Sequence, residues 1–176
     1  VGFTLVDVEF NDVNGGSFSV VAAKTGSRQA SKAAAIEGLL EAEALRGLDT
    51  LQPYLDFARK TEQSREALLE FADSAIRSGR RMDALGASTK GNVILQYCGL
   101  DERRIGHVGE VNESKFGCFT PGSLIPIVPE AELLAAASDY LLVLPWHFRA
   151  FFEGSPHMKG RNLVFPLPAL DVLRPN

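Results

Sequence analysis

Residues 81–99 read R-M-D-A-L-G-A-S-T-K-G-N-V-I-L-Q-Y-C-G, and the reading of this stretch decides the fold. Residues 82–85 form a short, partly apolar run suited to a buried strand. Residues 86–92 are small, polar and punctuated by glycine, and residues 93–98 return to an apolar pattern compatible with a helix. The order is strand, tight turn, helix. A turn of this kind leaves N–H groups at the helix start without intrahelical acceptors, and their partial positive charge suits an anionic oxygen. On that reading Gly86 and Gly91 let the backbone approach the anion and Lys90 adds a full charge, so Gly86, Ser88, Thr89, Lys90, Gly91 and Asn92 form the candidate substrate-binding set. The spacing G-A-S-T-K-G matches neither a Walker loop nor G-x-G-x-x-G. A glycine-punctuated corner that packs helix on sheet therefore stands as the alternative reading.

The composition sets limits on the partner. The chain has 176 residues, 45% of them hydrophobic and 23% charged, as in ordinary globular proteins, and its length supports one domain with an appendage. A net charge of −4 without any long Lys/Arg block argues against nucleic acid as a partner, so a recognised phosphate should be small and local. Cys98 and Cys118 form no C-x-x-C and have no histidine at ligand spacing, which suggests neither a disulfide framework nor a metal site and makes a reducing cytoplasm the default location. The longest apolar run, residues 141–145, is far short of the ~20 residues a bilayer requires, and no membrane partner is expected.

The chain opens at Val1, without a methionine, directly into a strand-like alternation, which marks the sequence as the expected fragment of a longer protein. Residues 3–10 and 17–23 both read as strands, joined by the turn-forming N-D-V-N-G-G-S. Such a pair has too little apolar area to stand alone, so it is expected to be the trailing edge of a larger sheet. After a polar connector, a helix is expected from Ser31 to Gly47. A longer one should follow over 50–78, capped by Thr50, with Leu51, Leu55, Ala58, Leu68, Leu69, Ala72 and Ile76 as its apolar stripe.

Beyond the central stretch, residues 104–110 read as a second strand. An acidic residue about 20 positions past a glycine turn binds a ribose in nucleotide-binding α/β folds, and Glu110 stands near that separation from Gly86. Residues 116–123 read as a Gly/Pro-rich loop, 124–128 as a short apolar run, and 129–137 as a helix opened by Pro129. Residues 139–145 are the most strand-like run, apolar on both faces as a central parallel strand should be, and Trp146, His147 and Phe148 follow at its carboxyl end, where open α/β sheets bind ligands. Residues 162–166 begin a last strand. The alternation predicts an α/β fold with a Rossmann-like, mostly parallel, doubly wound sheet preceded by two helices and an N-terminal hairpin remnant. The expected division is 1–26, 27–80 and 81–176.

Four motifs together carry a resemblance: G-A-S-T-K-G-N at 86–92, C-F-T-P-G-S-L-I-P-I-V at 118–128, L-P-W-H-F at 144–148 and F-P-L-P at 165–168. In this order and spacing, over roughly residues 48–173, they resemble the C-terminal domain of S-adenosylmethionine-dependent C-methyltransferases that act on nucleotide-linked sugars. The opening hairpin is similar to the last two strands of the preceding methyltransferase domain. The resemblance implies that this part of the enzyme helps hold an anionic nucleotide-sugar, with Thr120, Trp146 and His147 lining the cleft. It also implies that the zinc-binding segment and the methyl-donor domain lie elsewhere, so S-adenosylmethionine belongs to the full-length protein and this fragment is inactive alone.

One position departs from the family pattern. The residue before G-G-S is typically a histidine proposed as the base that removes a proton beside the sugar ketone, and here it is Asn14. An amide does not titrate near neutral pH. Asn14 therefore orients a substrate oxygen or bonds its own loop, and either another residue is the base, His147 being the favoured histidine, or the substrate is not a 4-keto sugar. The competing function, from a different class, is a Rossmann-like docking module that has lost nucleotide recognition.

Overall fold

The computed structural model describes residues 2–175, so Val1, where the opening strand pattern starts, lies outside the described residues. The chain forms two compact units, 1–59 and 60–176.

In the first unit, β1 (Phe3–Asn11) and β2 (Ser17–Lys24) pair antiparallel, with a bulge between Leu5 and Asp7. Alternating apolar residues leave Phe10 and Phe18 packed on each other at 6.3 Å between ring centroids, yet 67% and 68% exposed. Val6 is the buried hydrophobic residue of this hairpin. After the hairpin the chain folds back on β1: Lys32 N–H donates to Val6 O, Ser31 Oγ donates to Leu5 O, and Lys32 pairs with Asp7. Helix α1 (Ala33–Leu45) follows with no buried residue. Thr50 does not cap the next helix as expected; its hydroxyl donates to Gly47 O in the turn before it.

Helix α2 (Gln52–Arg77) continues into the second unit, where Leu68, Ala72 and Ala75 are buried. Of the expected stripe, Leu68 and Ala72 are buried, while Leu51, Leu55 and Ile76 are exposed. The second unit is a six-stranded sheet of β3 (Met82–Leu85), β4 (Val108–Glu110), β5 (Ile127–Pro129), β6 (Tyr140–Val143), β7 (Leu163–Phe165) and β8 (Asp171–Leu173) in the order β5-β4-β3-β6-β7-β8. All neighbours are parallel except β7 and β8. Numbered within this unit the order is 3-2-1-4-5-6, the doubly wound arrangement.

Alternation along the strands divides the core. Met82, Ala84, Leu142, Leu144 and Val164 pack with Leu68, Ala72 and with Leu95 and Cys98 of α3 (Thr89–Cys98). Leu85, Leu141, Val143, Leu163 and Phe165 pack on the other face with Leu133 of α4 (Glu130–Ala135) and Phe152 of α5 (Arg149–Gly154). Helices therefore cover both faces, as a parallel sheet requires. Helix α5 and strand β8 were not expected from sequence, and the strand expected over 104–110 is confined to its last three residues.

At the amino end of the sheet, Asp83 is fully buried and receives the His107 N–H, the Ser138 hydroxyl and the Arg81 guanidinium. One carboxylate thus ties the starts of β3 and β6 to the approach of β4, which meets the requirement that a buried charge be paired and hydrogen-bonded. Gly106 is required there, because a Cβ on it would lie 2.8 Å from Asp83 Oδ1.

Candidate functional site at the switch point of the sheet

The strand order reverses between β3 and β6, so the segments leaving their carboxyl ends diverge there and open the position where doubly wound sheets take ligands. Residues 86–92 leave β3 and residues 144–148 leave β6. The expected strand-turn-helix is present, and most of the candidate residues stand at this one rim.

The turn is held tightly by its own bonds. Gly86 N–H donates to Gly109 O, Ser88 N–H to Gly86 O, and Asn92 N–H to Ser88 O. Ser88 is the helix N-cap, its Oγ accepting from Gly91 N–H. Four amides of the expected anion cradle are therefore already paired. Packing by itself requires both glycines. A Cβ on Gly86, whose φ is +82°, would lie 2.8 Å from Pro145, and one on Gly91 would lie 2.7 Å from Leu144 Cβ. These contacts press α3 against the carboxyl end of β6. Thr89 opens the helix, where N–H groups lack intrahelical acceptors.

Two polar atoms at the rim have no such satisfaction. Asn92 Oδ1 and His147 Nδ1 are both buried and, among the described residues, without a hydrogen-bond partner. Buried polar atoms are almost always paired, so each of these two retains an unused hydrogen-bonding capacity at the rim. Burial, and secondarily the charge of Lys90, push the His147 imidazole below its usual pKa. His147 lies between Trp146 and Phe148, with ring centroids at 5.5 and 4.3 Å. Trp146 packs against the core clusters of both faces and so closes the top of β6.

Glu110 ends β4 and is largely buried. Its Oε1 accepts from Val111 N–H and Asn112 N–H and its Oε2 from Lys115 Nζ. Burial alone would raise its pKa, but these hydrogen bonds and the Lys115 charge outweigh it and hold the carboxyl below its usual range. Three of about four acceptor positions on a carboxylate are thus occupied. That leaves little for both hydroxyls of a ribose. Glu110 also lines a cavity of about 330 Å³ with Phe116, Glu130 and His157. There burial, then the Glu110 charge, raise the Glu130 pKa against an opposing effect of His157.

Lys115 was not singled out from sequence. Besides Glu110 it donates to Ala87 O at 2.9 Å, bridging the β3 turn to the end of β4. No helical or strand spacing links residues 87, 110 and 115, so no sequence signal marks the bridge. Thr120, expected in the cleft, is 1% exposed. Its hydroxyl is shared with Ser123 Oγ and accepts from Ile125 N–H, bracing its own loop. Asn14 sits in the turn between β1 and β2 in a left-handed conformation, φ +55°, which asparagine tolerates better than most residues. It belongs to the first unit, and the other candidates belong to the second.

Strand order, crossover pattern and rim define this unit as a doubly wound, Rossmann-like domain of the kind that holds ligands at its switch point. Residues 12–168 match the family described as the C-methyltransferase C-terminal domain. The chain is also 33% identical over 180 aligned residues to C-methyltransferase NovU from Streptomyces niveus, in an alignment that takes in 98% of this chain and 41% of that protein. The chain belongs to the C-methyltransferase C-terminal domain family. It spans about two fifths of the length of the curated relative it matches.

Proposed function

We propose that this chain is the substrate-side part of an S-adenosylmethionine-dependent C-methyltransferase and that its switch-point rim holds an anionic substrate, a nucleotide-linked sugar. The observation that carries the reading is the pair of orphaned buried atoms, Asn92 Oδ1 and His147 Nδ1, at the rim of a domain in this family. The Thr89 N–H and the Lys90 ammonium at the start of α3 meet the diphosphate. Asn92 and His147 meet the sugar or its linking oxygens. With its pKa lowered, the imidazole is neutral at pH 7 and able to accept a proton, which Asn14 is not.

The residues present do not fit S-adenosylmethionine. Gly86 and Gly91 are packed against Pro145 and Leu144, so the turn offers no glycine cradle for a donor. Donor binding is assigned to sequence outside this chain. The exposed apolar hairpin around Phe10 and Phe18 supports the same division, because a larger sheet would cover it. The protein is proposed to act in the cytoplasm. Among the described residues no helix is long and apolar enough to cross a membrane.

The four paired amides of the turn favour a second reading, a docking module without nucleotide recognition. Steady-state kinetics of the full-length enzyme separate the two. Lys90→Met should raise KM for the nucleotide-sugar about tenfold or more while changing kcat less, the signature of lost ground-state binding. Unchanged kinetics would support the docking module.

A further inference from the structure

A second cavity, of about 410 Å³, lies at the opposite end of the sheet from the rim. It is bordered by Leu163, where β7 starts, and by Leu173, its register partner in antiparallel β8. Phe152, Met158 and Leu163 give it buried apolar walls. Lys159, Arg161 and Arg174 give it charge. Glu153 also borders it, but its carboxylate is paired with Arg149.

The cations there are placed unlike most others in the unit. Arg65, Arg80, Arg81, Arg103, Arg104 and Arg149 each have a carboxylate within 4 Å. Among the described residues, neither Lys159, Arg161 nor Arg174 forms such a pair. Arg161 is half-buried and donates to two backbone carbonyls, His157 O and Leu134 O, which orient the guanidinium without neutralising it. Among the described residues, three cations without a carboxylate within 4 Å thus border one apolar hollow, beside a single carboxylate, Glu153, that shares Arg149 with Asp171, in a chain whose net charge is −4. Low-dielectric walls focus such a field, and the volume falls within the range of small-molecule sites.

We infer that this cavity binds a small amphipathic anion, with an aromatic or aliphatic body against Phe152, Met158 and Leu163 and a phosphate, sulfonate or carboxylate group at Lys159, Arg161 and Arg174. The site is separate from the rim and independent of the proposed function.

Phenyl phosphate is the probe, with phenol and inorganic phosphate as its two halves, and binding is followed by chemical-shift titration of the 176-residue chain. Phenyl phosphate should move the resonances of Met158, Leu163 and Leu173 and bind at least tenfold more tightly than either half. The double substitution Lys159→Glu, Arg174→Glu changes two exposed side chains, so the fold should survive, as circular dichroism would show. It should weaken phenyl phosphate binding at least tenfold. Affinity equal to that of phenol, affinity unaltered by the double substitution, or shifts confined to 86–92 would each overturn the inference.

Discussion

Gly91 carries the sharpest contest between local propensity and packing. Alanine is favoured over glycine inside a helix by about 1 kcal/mol, yet its Cβ would sit 2.7 Å from Leu144 Cβ. Overpacking of that degree costs about 1–3 kcal/mol, so Gly91→Ala should lower stability in urea unfolding. A more stable variant would show that the contact with β6 is not what requires glycine. His147 gives a second residue-scale prediction. Its folded pKa is lowered, so the unfolded chain takes up the proton first, and stability falls as pH drops below the unfolded value of about 6.5. Above that pH the effect is absent. His147→Gln should therefore lose less stability than the parent between pH 7 and pH 5, and an equal loss would contradict the assignment.

At the scale of elements, the bridge from Ala87 O through Lys115 to Glu110 holds the β3 turn against the end of β4. Lys115→Met leaves both acceptors without their donor and should cost about 1–3 kcal/mol at neutral pH. Because the Glu110 pKa is lowered, the stability from this pairing is present above about pH 4.5 and is lost as pH falls through the lower folded value. The difference between parent and variant should accordingly narrow on acidification, as paired urea curves at pH 7 and below pH 4 would show. The strands were legible where apolar runs are short and bounded, as in β3, β6 and β7, and α3 was legible from its glycine turn. Helix α5 was hidden because R-A-F-F-E-G precedes a Gly/Pro/His segment that reads as loop, and its Phe152 is buried only by tertiary packing. Lys115 and the Asp83 cluster depend on side chains brought together across the sheet, which no local periodicity encodes. The candidate rim was legible as a place, through its glycines and the residues after β6. The packing demand on Gly86 and Gly91 was not, since the approach of Pro145 and Leu144 is made across the sheet and leaves no mark in the local sequence.

At the scale of the molecule, the sheet order places the starts of two diverging segments at one rim, and family membership makes that rim part of a C-methyltransferase C-terminal domain. The chain covers about two fifths of its relative, and the proposal gives donor chemistry to the remainder and anion binding to this domain. The most direct test is a chemical-shift titration of the folded 176-residue chain with uridine diphosphate glucose, whose diphosphate supplies the charge that the proposed rim site would meet. Saturable shifts at Thr89, Lys90, Asn92 and His147 are expected. Shifts absent from residues 86–92 and 147 while the chain remains folded would contradict the proposed rim site.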